Sequence, residues 1–184
     1  MWRPGMCHAV WTGCASCCSV TQMRVRAAAP ADAAVICDIY NQGIDDRIAT
    51  FETAPRTVAD VRTWFNSSHP IVVVEDAAGR VIAFASTSPY RSRDCYRGVA
   101  EFSVYVARDA RGHGAGAAAM RALIDVAREA GFWKLVSRVF VENAPSRRLC
   151  QAVGFREVGT YLRHAQLDGT WRDVVIVERL LDDR

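Results

Sequence analysis

The sequence lacks the features that mark several large classes of protein. No apolar run approaches the ~18 residues that would suggest a membrane-spanning helix. The net charge is only +3, and acidic residues are interleaved with the basic ones, which argues against a nucleic-acid-binding surface. There is no internal repeat, and no linker divides residues 23–184. These residues therefore predict a single domain of ordinary size.

The cysteines form no recognisable zinc pattern. Four of the seven lie before Met23, namely Cys7, Cys14, Cys17 and Cys18. No Cys or His pair follows them at zinc spacing, and His8 is a poor fourth ligand, so we expect no metal. Residues 1–22 also lack the continuous apolar core of a signal peptide. We interpret them as a flexible, dispensable extension or as a start assigned too early. The remaining cysteines are widely spaced, as in reduced thiols of a cytoplasmic protein.

Hydrophobic periodicity predicts a mixture of strands and helices. Strands are expected at 23–29, 99–107 and 134–142, hairpins at 70–90 and 155–181, and helices at 30–44, 57–68, 114–132 and 144–154. The clearest helix repeats Met120, Leu123, Ile124 and Ala127 on one face. The order is βαα, a meander of strands, then βαβαββ, which is typical of one mixed α/β domain.

A glycine-rich turn, RDARGHGAG at 108–116, joins a predicted strand to that clearest helix. The N-terminus of a helix presents converging N–H groups and about half a positive charge, so such a turn can hold a phosphate. A Walker P-loop is excluded because the required Gly-Lys-Ser/Thr is missing. The G-x-G-x-G spacing and the late position in the chain disfavour a Rossmann dinucleotide site. A plain strand-to-helix connection remains the alternative.

The wider motifs resemble one superfamily. VYVARDARGHGAG is similar to the acyl-coenzyme A motif of the GCN5-related N-acetyltransferases, Arg/Gln-x-x-Gly-x-Gly/Ala, with Arg111, Gly114 and Gly116 in register. VENAPSRRLCQAVGFREVG resembles the second coenzyme motif. NQGIDDRIATFET, AEFSVYV and DGTWRDV resemble the phosphinothricin acetyltransferase branch and, within it, the arsinothricin N-acetyltransferases. The resemblance covers about 23–181. It implies a mostly antiparallel sheet of about seven strands, splayed at the coenzyme site, with four helices.

The resemblance also implies three catalytic positions. Glu101 matches the proposed base that takes a proton from the acceptor amine, and the backbone N–H of Val106 matches the donor to the thioester oxygen. Cys150 stands where relatives carry a Tyr or His that protonates the leaving thiolate. Alternatives stay open, because Glu101 would also suit an ion pair with an Arg or a contact with the substrate ammonium. Cys150 would also suit a small buried hydrophobe, with water as the acid.

Coenzyme and acceptor contacts are implied in the same way. The coenzyme residues are Val104, Tyr105, Val106, Arg111, Gly112, His113, Gly114, Ala115, Gly116, Asn143 and Ser146. The strand residues and His113 would contribute backbone groups, Tyr105 would also suit the core, and Asn143 would also suit a helix N-cap. The acceptor residues are Phe51, Thr53, Tyr90, Arg91, Arg93 and Glu101. Arg91, then Arg93, is the first choice for an oxyanion because a guanidinium binds such groups bidentately; a solvated loop charge is the alternative.

The function implied is acetyl-CoA-dependent N-acetylation of the α-amino group of a glutamate-like antimetabolite, phosphinothricin or arsinothricin, by direct attack of the amine on the thioester. The partner is a small-molecule amino acid, with neither nucleic acid nor membrane involved, and the resemblance implies a cytoplasmic homodimer. Two alternatives stay open. One is a general L-amino-acid N-acetyltransferase acting on methionine sulfoximine or methionine sulfone. The other is a non-catalytic module that binds acetyl-CoA.

Overall fold

The computed structural model describes residues 23–181, so the interpretation of residues 1–22 as an extension lies outside the described part. Four helices follow the predicted order: α1 (Ala33–Asp45), α2 (Val58–Trp64), α3 (Ala115–Glu129) and α4 (Ala144–Ala152). Seven strands accompany them: β1 (Arg24–Ala27), β2 (Ile71–Glu75), β3 (Val81–Pro89), β4 (Val99–Val106), β5 (Lys134–Phe140), β6 (Arg156–Leu167) and β7 (Thr170–Leu180). None of the helices in this range is long and apolar enough to cross a membrane.

Local sequence signals account for several of these boundaries. Thr57 caps α2 by accepting a hydrogen bond from the Asp60 N–H, and the Asp60 side chain accepts from the Thr57 N–H in return. Gly131 follows α3 with φ of 87°, the left-handed conformation that ends many helices. Asp168 and Gly169, with φ of 48° and 74°, form the turn of the hairpin predicted over 155–181, since two adjacent positive φ values suit a tight hairpin.

The strands form one sheet in the order β1-β2-β3-β4-β5-β7-β6. Every neighbouring pair is antiparallel except β4 and β5, which are parallel. A single large core joins the sheet to α1 and α3, with Phe84, Ile36, Met120 and Leu123 fully buried. The predicted mixed α/β fold is confirmed.

The sheet splays between its two parallel strands. β4 and β5 pair over only three positions, Val99–Glu101 against Lys134–Val136. Beyond Glu101, β4 continues along β3 as far as Val106, while β5 continues along β7 as far as Phe140. The later half of β4 therefore has an edge that β5 leaves free, and this opening positions the site.

Candidate active site

A cleft of about 1220 Å³ fills the splay. Its walls come from β4, β5, the glycine-rich turn, the start of α4 and the loop after α1. Among its lining residues are Thr50, Phe51, Glu52, Glu101, Val104, Val106, Arg111, Gly112, Gly114, Arg138, Asn143, Ser146, Arg148 and His164. Most of the residues predicted for the coenzyme therefore lie on one continuous surface.

The free edge of β4 presents backbone donors to this cleft. The Ala107 N–H donates to the Ile82 carbonyl at 2.8 Å, towards β3. Because successive N–H groups of a strand point to opposite edges, those of Val106 and Val104 point away from β3, into the splay. An extended ligand lying there would meet these groups as a further strand does. This is the direction that the predicted role of Val106 requires.

The glycines of the turn serve different purposes. Gly112 and Gly114 have φ of 82° and 89°, a region that side chains rarely tolerate. Gly116 lies inside α3, where an added Cβ would sit 3.2 Å from Leu149 Cδ2 and 3.3 Å from Val106 Cγ2. The first two glycines therefore shape the turn, whereas the third allows α3 to pack closely against β4 and α4.

An ion-pair cluster ties the turn to the end of α1. The Arg111 Nε donates to the Val106 carbonyl at 3.1 Å, and its Nη1 lies 2.7 Å from Asp46. Burial raises the pKa of Asp46, but hydrogen bonds from Arg108 and Arg111 outweigh this effect and hold the pKa below its usual range. Asp46 therefore stays ionised at neutral pH and anchors both arginines beside the cleft.

At the start of α4, the Asn143 side chain is engaged within the protein. Its Oδ1 accepts from the Ser146 N–H at 3.1 Å, which is an N-cap, and its Nδ2 donates to the Ile48 carbonyl at 2.9 Å. Both Asn143 and Ser146 line the cleft. The N-cap alternative thus describes this asparagine, which also joins α4 to the loop that forms the opposite wall.

Glu101 lies at the last position where β4 and β5 pair, and its carboxylate faces a guanidinium. The Nη2 of Arg138, on β5, is 2.5 Å from both Glu101 oxygens, and Arg138 Nε is 3.2 Å from Oε1. The pair is accessible, with the Arg138 side chain 45% exposed and that of Glu101 24% exposed. A carboxylate thus stands at the mouth of the splay, next to the free edge of β4.

Residues 37–155 match the model of the acetyltransferase (GNAT) family. The chain belongs to this family. An L-methionine sulfoximine/L-methionine sulfone acetyltransferase of Pseudomonas aeruginosa is 35% identical over 162 residues, covering 86% of this chain and 94% of that protein. A phosphinothricin N-acetyltransferase of Streptomyces coelicolor is 32% identical over 167 residues, covering 87% of this chain and 97% of its own length.

Solved structures agree with this assignment. The yncA acetyltransferase of Salmonella typhimurium, solved with acetyl-CoA, superimposes with a TM-score of 0.84 at 30% identity, covering 89% of this chain and 96% of its own. The predicted family, fold and enzyme class are therefore confirmed: the chain is an N-acetyltransferase of the GNAT type.

Two residues predicted from the GNAT resemblance lie elsewhere than their roles require. Cys150 is buried in the core and is absent from the cleft wall, which its neighbours Leu149 and Ala152 line instead. Burial raises the pKa of its thiol to about 11. Thr53 is exposed and lies outside the cleft. Thr50 and Glu52, from the same segment, line the cleft instead. The structure thus supports the buried-hydrophobe alternative for Cys150.

The arginines predicted to bind an oxyanion form a separate depression. Arg91 and Arg93 line a pocket of about 300 Å³ with Ser92 and Tyr96, outside the main cleft. The Arg91 guanidinium lies 5.3 Å from the centre of the Tyr90 ring, a cation–π distance. Both arginines lie in the segment that follows β3, whose Ser88 pairs with Glu101. Their pocket is therefore near the Glu101 end of β4, away from the glycine turn.

His113 and Tyr105, both predicted for the coenzyme, do not present a charged side chain to the cleft. His113 is exposed and lies outside the cleft wall, so only its backbone is available there. Tyr105 stacks on Phe84 at 5.4 Å and lies 4.7 Å from Tyr40. Burial raises the pKa of Tyr105 well above its usual range, so it is a neutral aromatic of the core edge.

Sequence reasoning missed Arg138 and His164. Arg138 is the one charged residue of β5 after Lys134 and follows the polar Ser137, a weak signal that this part of the strand opens onto a polar site. His164 reaches the cleft because β6 is irregular between Tyr161 and Ala165, where Arg163 has φ of 48°. Its ring lies 6.2 Å from that of Phe51, which itself packs edge-on against Phe140 at 4.7 Å.

Within residues 23–181 there is no grouping of His, Cys, Asp and Glu that could hold a metal ion. The cysteines before Met23 lie outside this range. The described cleft offers carboxylates (Asp46, Glu52 and Glu101), guanidinium groups, the His164 imidazole and backbone amides.

Proposed function

We propose that this enzyme acetylates the α-amino group of a free amino acid, with acetyl-CoA as the donor. The observation that carries the proposal is the Glu101 carboxylate at the mouth of the splay, beside the free edge of β4. The relatives support it, because methionine sulfoximine, methionine sulfone and phosphinothricin, which their names give as substrates, are all amino acids. The acetyl-CoA in the yncA structure supports the donor.

The cleft offers each end of acetyl-CoA a suitable set of groups. The pantetheine arm would lie along β4 and bond to the backbone of Val104 and Val106. The pyrophosphate would lie on the turn at Gly112–Gly116, where the N–H groups and the dipole of α3 favour negative charge. Arg111 and Ser146 would line the same region. The thioester then comes to the splay, next to Glu101.

The chemical step needs a neutral amine. Glu101 accepts a proton from the substrate ammonium, and the amine nitrogen forms a bond to the thioester carbonyl carbon. The negative charge that develops on the carbonyl oxygen is stabilised by the Val106 N–H, a contribution of roughly 10²–10³-fold in comparable sites. The C–S bond then breaks, the nitrogen gives up the second proton that the new amide does not keep, and the coenzyme A thiolate takes up one proton. Because Cys150 lies in the core, we assign that proton to water.

The side chain of the acceptor is the finer part of the proposal. Arg91 and Arg93, near the Glu101 end of β4, suit a terminal phosphinate or arsinate, which keeps phosphinothricin and arsinothricin as our first candidates. A second candidate is favoured by the Pseudomonas aeruginosa relative: methionine sulfoximine or methionine sulfone, whose side chains carry no such anion. We also propose that the enzyme acts in the cytoplasm.

A coenzyme A release assay over a panel of acceptors tests this function. The panel holds phosphinothricin, arsinothricin, methionine sulfoximine, methionine sulfone, glutamate, a polyamine and a peptide with a free N-terminus. We expect turnover of at least one of the free amino acids and little or none of the polyamine and the peptide. Binding of coenzyme A in a thermal-shift assay without turnover of any free amino acid would contradict the proposed acceptor. Turnover confined to the polyamine or the peptide would contradict the proposed substrate class.

A further inference from the structure

We propose that Arg138 is the residue that binds the α-carboxylate of the acceptor, and that the Glu101–Arg138 ion pair is a template for an amino-acid zwitterion. This inference rests on the proposed function and deepens it. An α-amino acid carries its ammonium and its carboxylate on the same carbon, so a site that reads both must place a negative and a positive group side by side. Glu101 and Arg138 do so at 2.5 Å.

The geometry leaves Arg138 donors for a second anion. Its Nη2 and Nε face Glu101, while its Nη1 makes no hydrogen bond with any residue between 23 and 181. A guanidinium carries N–H donors on all three nitrogens and binds carboxylates with two at a time. An incoming carboxylate can therefore bind the same guanidinium while the ammonium approaches Glu101, which as a carboxylate has further lone pairs to accept it.

Stability does not explain why this pair is there. At the exposure of Arg138 and Glu101, an ion pair adds little to the stability of the fold, because solvent screens the two charges. Arg138 is also exposed, although the next two residues of the strand, Val139 and Phe140, are buried. An arginine that adds little to the fold and lines the cleft is better explained by a ligand.

The other cations near the cleft are less suitable. Arg111 is engaged by Asp46 at the coenzyme end. Arg148 is on α4, beside the groups that would hold the coenzyme, and Arg91 and Arg93 line the separate pocket. Among the described residues, Arg138 is the one cation in ion-pair contact with Glu101. If Glu101 meets the amine, Arg138 is thus the cation placed to meet a carboxylate on the adjacent carbon.

This arrangement predicts selectivity against plain amines. When a zwitterion binds, its ammonium pairs with Glu101 and its carboxylate pairs with Arg138, so neither protein charge is left without a partner. An amine without a carboxylate must compete with Arg138 for Glu101 and gives Arg138 nothing in exchange. Replacing Arg138 should therefore lower kcat/KM for the amino acid and not for the plain amine.

The test compares two acceptors in the full-length protein. One is methionine sulfone, or whichever amino acid the wild type turns over best, and the other is the same compound without its carboxylate. In Arg138→Met, we expect kcat/KM for the amino acid to fall about 10- to 100-fold, mainly through KM, because a charge-assisted contact to the substrate is lost. The decarboxylated amine should keep its kcat/KM or gain. For the amino acid, kcat/KM of Arg138→Lys should lie between the values of the wild type and Arg138→Met, because lysine keeps the charge without the bidentate geometry.

Arg156→Met is the matched control, since Arg156 is an exposed arginine paired with Glu178 outside the cleft; it should change kcat/KM for neither acceptor. An equal fall for both acceptors in Arg138→Met would overturn the proposal and make Arg138 a positioning residue for Glu101. An unchanged kcat/KM for the amino acid in Arg138→Met would show that Arg138 takes no part in recognising the carboxylate. If Arg138→Met proves unfolded by its melting temperature, Arg138→Lys decides by the same ratio of acceptors. Failure of the proposed function is distinct, because it appears as wild type that acetylates no amino acid.

Discussion

Glu101 is the residue on which the proposed chemistry depends, and its position constrains its role. It lies where the β4–β5 pairing ends, so it faces the opening of the splay, and Arg138 contacts both of its oxygens. An ion pair with an arginine was one of the alternatives that the sequence left open. The pair does not exclude the base role, because the same carboxylate can accept the substrate ammonium when a carboxylate draws on Arg138.

We expect Glu101→Gln to lower kcat at neutral pH by roughly 10²-fold or more, because a positioned base contributes about 10²–10⁴-fold. The amide keeps the shape of the carboxylate but cannot take the proton. Steady-state kinetics give kcat, and calorimetry should show unchanged binding of acetyl-CoA. A kcat within a few-fold of wild type, with only KM raised, would make Glu101 a binding residue.

Cys150→Ala is the companion variant for this comparison. Its buried thiol, with a pKa raised to about 11, is outside the cleft wall, so kcat should stay within about twofold, the effect being on packing rather than chemistry. A large loss of kcat at an unchanged melting temperature would instead return Cys150 to the role of acid.

The motif residues could be predicted from the sequence, and those set by register or rotation could not. Arg111, Gly114 and Asn143 belong to short motifs that the resemblance to the GNAT superfamily identifies, and the two latter residues cap the N-termini of α3 and α4. Arg138 meets Glu101 only because β4 and β5 pair over three positions, a register that neither strand's own sequence specifies. Cys150 and Leu149 are adjacent on α4, and the rotation of that helix against the sheet decides which of them faces the cleft.

At the level of elements, the junction of β4 and α3 is where we propose that the coenzyme binds. Gly114 is the N-cap of α3 in the left-handed region, and its hypothetical Cβ has only Met23 Cε nearby, at 3.7 Å. The space around it is therefore open to the cleft. The turn combines this open space with the converging N–H groups of α3, which is the combination that a phosphate requires.

Gly114→Val should weaken acetyl-CoA binding by about 10- to 100-fold or more, since it fills this space and costs at least one charge-assisted hydrogen bond of about 1.5–3 kcal/mol. Isothermal titration measures the dissociation constant. Gly79→Val is the matched control, because Gly79 also has positive φ, 79°, with no atom near its hypothetical Cβ, but lies outside the cleft wall. It should lower the melting temperature by a similar amount and leave binding intact. Equal binding in both variants would show that the turn does not hold the coenzyme.

The irregularity in β6 is an element-level feature that pattern reading missed. The sequence predicts a hairpin over 155–181, and β6 and β7 form one around Asp168–Gly169. Between Tyr161 and Ala165, however, the register shifts, and the Asp173 side chain accepts a hydrogen bond from the Arg163 N–H at 2.7 Å. A bulge redirects side chains, and here it brings His164 to the cleft.

At the scale of the whole molecule, the β6–β7 hairpin exposes an apolar surface that no other described residue covers. β6 is at the end of the sheet, so one of its edges has no strand partner in the described chain. Its hairpin with β7 exposes Val158, Tyr161, Leu162 and Trp171, each at least half accessible to solvent. A long exposed edge with apolar side chains is a surface that proteins usually cover.

We propose that a second copy of the chain covers this surface, as expected for a homodimer, and Leu162, 74% exposed, is the most direct place to test it. Light scattering after gel filtration should give wild type a mass twice the 20.3 kDa of one chain, and Leu162→Asp should give a monomer, because a buried unpaired charge at an interface costs more than such a contact returns. Leu180→Asp is the control. The Leu180 side chain is also exposed, but it is on β7, which pairs with β5 at this position, and so it is away from the outer edge of β6. A monomeric wild type at micromolar concentration would contradict the dimer. A dimer that survives Leu162→Asp and breaks with Leu180→Asp would place the interface elsewhere.

Because Tyr161, beside His164 in the bulge, belongs to this surface, loss of the dimer should also raise KM for the acceptor while leaving the affinity for acetyl-CoA unchanged.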